Sequence, residues 1–308
     1  MNNLSLYLTT VLIWGSTWIA ITFQLGEVAP LVSVAYRFAL AGILLMLFCA
    51  LLNKRLRFGW REHLLMFLQG NFLFGLNYWL MYLTTERISS GLVAVIFAGI
   101  VFLNILNGRL FLGRPIQMHV LLAACIGICG IAMVFWPELA AVEASGKDIW
   151  VALALGLAAT YCASIGNIVS SHNQQRNIPV LQANAFGMSY GALSMMLVAA
   201  LMGLEFNFDT RPEYIASLLY LSVFGSIIAF SCYLTLVGRL GADKASYASL
   251  LFPVIALQLS AWFENFQWTW LSVMGLCLVL IGNVLIMTPR QRILALLNPE
   301  RKMEAPEP

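Results

Sequence analysis

"SGLVAVIFAGIVFLNILNGRLF" (residues 90–111) and "ASYASLLFPVIALQLSAWFENF" (residues 245–266) lie over one another without a gap. Each is long and apolar enough to cross a hydrocarbon layer of ~30 Å as a helix, for which about 20 residues suffice. A helix is the form such a segment takes, because every backbone N–H and C=O must be paired internally where there is no water. A second echo joins "AACIGICGIAMVF" from Ala123 to "GLCLVLIGNVLIM" from Gly275. The chain therefore contains one unit twice.

Working outward from these stretches, ten apolar segments can be marked, roughly 4–23, 31–52, 63–83, 89–112, 117–136, 149–171, 180–203, 213–237, 244–264 and 269–288. The aligned stretches are the fourth and ninth. Five spans separate corresponding positions, and five is odd, so the second copy enters the membrane from the opposite side. The sequence thus predicts an all-α membrane protein of two inverted five-helix repeats, residues 1–140 and 141–290, with a cytoplasmic tail at 291–308. Inverted repeats place a solute site at their interface near the bilayer midplane and open it to each face in turn.

Composition agrees with this reading. The 308 residues are 61% hydrophobic and 10% charged, where a soluble domain carries about a quarter of its residues as charges. The connections are short and leave no room for a soluble domain. The apolar start lacks a basic leader and a small-residue cleavage site, and reads as a first span rather than a removed signal peptide. Lys54, Arg55, Arg57, Arg61, Arg114, Arg176, Arg239 and Lys244, with Arg290, Arg292, Arg301 and Lys302 of the tail, fall on one side, and Arg87, Lys147 and Arg211 on the other. The positive-inside rule then puts both termini of the multi-pass protein in the cytoplasm. A net charge of +3 with thinly spread basic residues is no nucleic-acid footprint. All six cysteines lie in apolar runs and read as small packing residues, so no metal and no cofactor is expected.

"VLIWGSTWIA", "APLVSVAYRFALAGILL", "LGADKASYASLLFPVIALQLSAWFEN" and "GLCLVLIGNVLI", in that order, resemble the EamA-type branch of the drug/metabolite transporter superfamily over residues 4 to 288. The resemblance implies ten helices in two inverted halves. It also implies a central cavity lined by the first four helices of each half, with the fifth and tenth at the periphery. Similar bacterial members export amino acids and related metabolites from the inner membrane. The two halves differ where the fourth span has Ala98 and Arg109 and the ninth has Pro253 and Glu264.

The polar residues inside the spans are the candidate site. In "WGSTW", Trp14 and Trp18 are four apart and share a helix face, which favours a cavity wall over lipid. Ser16 and Thr17 either join that wall or bond back to carbonyls one turn earlier. Asn77, Tyr78 and Tyr82 make a polar stripe on the third span together with Asn71. Tyr161, Ser164 and Asn167 on the sixth, Ser231 and Tyr233 on the eighth, and Tyr247 and Gln258 on the ninth extend the set, with Asn104 and Asn107 on the fourth. One such group can be interhelical glue; their number is what points to substrate binding. Arg37, one or two turns below the outer surface, can attract a carboxylate or pair across helices, and Glu264 closes the ninth span at the same face. The two are a candidate gate pair, with snorkelling to the interface as the alternative for each. Pro253, mid-span, is the candidate hinge.

The cavity so drawn is neutral, aromatic and amide-rich, suited to zwitterionic or amphipathic small molecules. No Asp or Glu lies near the middle of a span and His63, His119 and His172 map to boundaries, so obligatory proton coupling is not expected. A membrane enzyme would need a catalytic constellation, and none is visible. A channel would show pore-lining rings from several subunits. A sugar-nucleotide or phosphate-ester exchanger would want several basic residues in the cavity. The expectation is a carrier exporting amino acids or related metabolites by alternating access, with a drug or amine efflux carrier as the nearest alternative; monomer and homodimer both fit.

Overall fold

The structure, a computed structural model of the chain, describes residues 1–113, 118–145, 149–240, 245 and 248–287. Ten helices span these residues. The first half contains α1 (Asn3–Thr22), α2 (Pro30–Leu51), α3 (three consecutive pieces, Trp60–Gln69, Gly70–Leu76 and Asn77–Thr85), α4 (Ser90–Ala98 and Ile100–Leu112) and α5 (Met118–Ser145). The second half contains α6 (Ile149–Gln175), α7 (Val180–Leu201), α8 (Pro212–Tyr220, Leu221–Ile228 and Ala229–Leu240), α9 (Ala248–Phe263) and α10 (Trp270–Met287). By length and composition α1, α2, α4, α6, α7 and α8 each suffice to cross a membrane, and shorter apolar stretches run through α5, α9 and α10. The protein is a multi-pass membrane protein.

Local chemistry sets the ends. Pro30 and Pro212 open α2 and α8, at a position whose N–H would have no helical partner in any case. Gly113 and Gly203 follow α4 and α7 with φ of +67° and +69°, the left-handed conformation that lets a chain leave a helix. One expectation needs correcting: residues 137–145, read as part of a connection, continue α5 as helix. The stretch is rich in Ala, Glu and Leu, all strong helix formers, and they outweigh the break expected at Pro137.

The packing shows the repeat. Helices at equivalent places in the two halves pair with each other: α2 with α7, α4 with α9, and α5 with α10. Other large contacts also cross between the halves, α1 packing on α8 and α9 while α6 packs on α3 and α4. At the α5–α10 seam the two backbones touch. A Cβ added to Gly130 would stand 2.6 Å from Gly275 O, and one added to Gly275 would stand 2.6 Å from Gly130 O. Only glycine permits that approach, as expected where helices associate by close backbone contact in lipid.

α3 and α8, the third helices of the two halves, share an irregularity. Gly70–Leu76 and Leu221–Ile228 are both wound as π-helix, and each contains a Phe-Gly step, Phe74–Gly75 and Phe224–Gly225. Single π turns of this kind gather at functional sites because the wider winding re-aims side chains. Both segments pack on helices that border the interface between the halves.

Candidate functional site

Between the halves lies a cleft with about 590 Å³ of atom-free space, its open mouth included. Trp14, Thr17, Trp18 and Ile21 of α1 form one wall, and Leu73, Asn77, Tyr78 and Met81 of α3 another. α4 contributes Phe97 and Ile100, α6 Asn167, α8 Phe230 and Tyr233, and α9 Phe252. Every one of these helices is among the first four of its half, and among the described residues neither α5 nor α10 contributes.

Aromatic contacts order the lining. The Trp14 ring meets Phe230 edge-on and Tyr233 at a tilt, both with centroids 4.9 Å apart, and its indole N–H donates to Gly225 O at 3.3 Å. Trp18 lies 5.4 Å from Phe97 and 5.8 Å from Phe252. Among the described residues, no acidic, basic or histidine side chain lines the cleft. Its polarity comes instead from groups turned inward. Asn77 donates its amide N–H to Leu73 O at 3.2 Å, and Asn167 donates to the Tyr233 hydroxyl at 3.4 Å. These bonds leave Asn77 Oδ1 and Asn167 Oδ1 buried without a protein partner, and Trp18 Nε1 is in the same state. A buried, unmatched donor or acceptor is costly unless something completes it. One unmatched donor and two unmatched acceptors thus belong to residues of the lining, the composition of a site that hydrogen-bonds a guest between aromatic walls.

Of the residues expected to bind substrate, Trp14, Thr17, Trp18, Asn77, Tyr78, Asn167 and Tyr233 share this cleft. The others do not. Ser16 donates back to Ile13 O at 2.9 Å and meets the Tyr220 hydroxyl at 2.6 Å, because its helix face turns to α8. Thr17 also bonds back, to Trp14 O at 2.9 Å, and does not offer its hydroxyl proton to the cleft. Tyr82 is fully buried in the core beside α2, one turn beyond Tyr78. Tyr161 is 39% exposed on the outward face of α6, next to the exposed Leu157. Tyr247 lies outside the described residues.

The expected gate pair does not form. Arg37 is fully buried and its Nε donates to Ser226 Oγ at 3.1 Å. Glu264 instead accepts from the Ser90 backbone N–H at 3.1 Å and from its hydroxyl at 2.6 Å. The reason is reach: Glu264 ends α9 directly over the first turn of α4, where free backbone N–H groups attract a carboxylate. Pro253 is buried within α9, beside the cleft residue Phe252. Cys125, Cys129 and Cys277 are exposed on the outside of α5 and α10, whereas Cys49 and Cys232 are buried and fit the packing reading.

Phe97, Phe252 and Phe230 do not stand out in the sequence, since one phenylalanine in an apolar run looks like any other. A signal exists nonetheless. In the gapless alignment of residues 90–111 with 245–266, Phe97 falls on Phe252, and the structure brings these two rings to 6.1 Å across the cleft.

Comparison with known proteins agrees with this geometry. A sequence profile of the EamA-like transporter family matches residues 2–136 and 150–288, one match to each half. The chain is 24% identical to protein PagO of Salmonella typhimurium over 92% of both chains. It is 25% identical to the uncharacterized inner membrane transporter YedA of Escherichia coli, again over 92% of both. It is also 25% identical to a probable amino-acid metabolite efflux pump of Escherichia coli, over 90% of this chain and 92% of that one. A protein of known crystal structure superposes with a TM-score of 0.68 over 97% of this chain and 98% of its own, at 15% identity, a likeness of fold. Two matched halves, ten helices crossing between them and a cleft at their junction have one common explanation: the chain belongs to the EamA-like transporter family, and is a membrane transporter rather than an enzyme.

Proposed function

We propose that the protein exports amino acids or related zwitterionic metabolites across the inner membrane by alternating access, with both termini in the cytoplasm and residues 1–140 and 141–290 as the two moving repeats. The cleft is the observation that supports this most. Its aromatic walls suit an apolar side chain, while Asn77 Oδ1 and Asn167 Oδ1 can accept from an ammonium group and Trp18 Nε1 can donate to an oxygen. The resemblance to a probable amino-acid metabolite efflux pump points the same way.

The working parts are assigned on the same basis. Glu264 ties the end of α9 to the start of α4, the repeat-related pair, and so acts as a lock that one conformation makes and the other releases. Pro253 is the hinge of α9, where its ring removes a backbone hydrogen bond. Transport is not obligatorily coupled to protons, since no carboxylate or histidine among the described residues lines the cleft.

The test is flux. Purified protein in liposomes should carry radiolabelled amino acids with saturable kinetics, and a pH gradient should leave the final distribution unchanged. A rate that rises linearly with concentration would mark a channel, and strong uphill accumulation driven by the gradient would mark a proton-coupled pump.

A further inference from the structure

Arg37 is a permanent charge in the wrong place. Its guanidinium cannot lose its proton, unlike a buried lysine. It lies at the eighth position of α2, about 10 Å along the helix from its start, and has no exposed surface, so it does not reach the interface by stretching. Its contacts are all neutral: Ser226 Oγ on Nε, the Tyr78 ring 4.4 Å from Cζ and the Phe38 ring 5.1 Å away. The Tyr78 and Tyr82 hydroxyls stand close to the guanidinium, but neither makes a well-aligned hydrogen bond to Nη1 or Nη2, and among the described residues no carboxylate pairs with it. A buried charge left in this state is strongly unfavourable. An ionisable residue held inside a membrane protein pairs with another charge or with backbone carbonyls, or marks the path of a substrate.

The position of the free edge says which anion. Tyr78, whose ring covers the guanidinium, is a wall of the cleft, and so is Thr17. A Cβ placed on Gly225 would touch both Thr17 Cγ2, at 2.9 Å, and Arg37 Nη2, at 3.2 Å. The unpartnered edge therefore stands one layer behind the cleft, with Tyr78 between. Two parallel N–H groups on a flat fork match a carboxylate in bidentate fashion. A phosphate dianion would call for a second cation, and the described lining of the cleft has none.

We propose that Arg37 is the anion-binding residue of the site: the substrate carries a carboxylate, which reaches the Nη1–Nη2 edge when Tyr78 swings aside, while its ammonium faces Asn77 and Asn167. This inference rests on the carrier reading above and narrows its substrate class to carboxylates. Amines that share the side chain but lack the acid are then poor substrates.

Matched pairs of compounds test the assignment. Leucine, methionine and phenylalanine are compared, in proteoliposomes of the full chain, with the amines left when each loses its carboxyl group. In the native protein each amino acid should show a KM at least tenfold below that of its amine. Arg37→Gln should erase the difference within each pair, and Arg37→Lys should restore part of it. Ser226→Ala, which removes one neutral bond and keeps the cation, should preserve it. Equal handling of acid and amine by the native protein, or an undiminished preference in Arg37→Gln, overturns the assignment and leaves the carrier reading standing. Should Arg37→Gln fail to fold, the comparison of acid with amine in the native protein is decisive by itself. Absence of saturable flux for all these compounds and for the other common amino acids would remove the carrier reading, and this inference with it.

Discussion

Trp18 lines the cleft and its indole N–H is buried with nothing in the protein to accept it, while two residues earlier the Ser16 hydroxyl is already committed. The contrast yields a pair of expectations. Trp18→Phe keeps an aromatic wall and removes the donor, and should raise the KM about tenfold, the effect of one good hydrogen bond. Ser16→Ala should leave the KM unchanged and lower thermal stability by about 1 kcal/mol, through its lost contact with Tyr220. Transport assays and melting curves on the same preparations separate the two; a KM change in Ser16→Ala would put that hydroxyl back in the site. The sequence can tell Trp14 and Trp18 apart from lipid-facing residues because four-residue spacing fixes a shared face. It cannot place Ser16, which is about 100° of helix rotation from each neighbour and can satisfy itself locally. Nor can it exclude Tyr161, since a tyrosine reads the same whether it faces a cavity or the outside.

Among the elements, α3 and α8 carry the paired π segments, and glycines on them have different tasks. A Cβ on Gly70 would drive into the backbone carbonyl of Gly187, which cannot move without separating α3 from α7. Gly70→Ala should therefore cost roughly 1–3 kcal/mol of stability, as overpacking does, and be seen as a lowered melting temperature. Gly225 faces side chains instead, the Thr17 methyl and the end of Arg37, and these can yield. Gly225→Ala should fold nearly as well as the native chain and yet transport poorly, because both displaced groups belong to the site or stand directly behind it. If its melting temperature falls as far as that of Gly70→Ala, the segment is structural rather than functional. Glu264→Gln should weaken the α9–α4 link by about 1 kcal/mol, the size of a helix-cap interaction, and shift the balance between the two access states; accessibility labelling of the cleft from either side reads that shift. The π winding itself is not legible in the sequence, because hydropathy marks an apolar span equally whether it winds with 3.6 residues per turn or more.

On the scale of the whole molecule, the architecture is the most legible feature. Ten apolar runs, a gapless internal match and an odd number of spans between copies lead to an inverted repeat, and the observed exchange of partners between halves agrees with it. The end of α5 is not legible in the same way, because a proline reads as a stop even where the residues after it favour helix. Acid should affect the molecule through its outer connections rather than its centre. Arg211 holds the Asp209 carboxyl below its ordinary value of 3.8, through bonds from its Nε at 2.8 Å and its backbone N–H at 2.9 Å. A lowered folded-state pKa stabilises above the ordinary value, and that stabilisation disappears as pH falls through the lowered one. Melting curves between about pH 8 and pH 5 should show no pH dependence from this pair, whose stabilisation is fully present there, and Asp209→Asn should reduce the loss of stability seen at lower pH.

In the match of Ala123 with Gly275, Gly130 falls on Gly282, and Gly130 meets Gly275 just as Gly282 meets Ala123. A surface on which residue i meets residue j while j meets i is what a symmetric dimer uses, and here it occurs within one polypeptide. The molecule is in effect a pair of subunits fused end to end. Cut between residues 145 and 149 and produced from two separate genes, the fragments should find each other in the bilayer and recover saturable flux, provided each inserts in its own native direction. Neither fragment alone should carry solute, since no half owns a complete chamber.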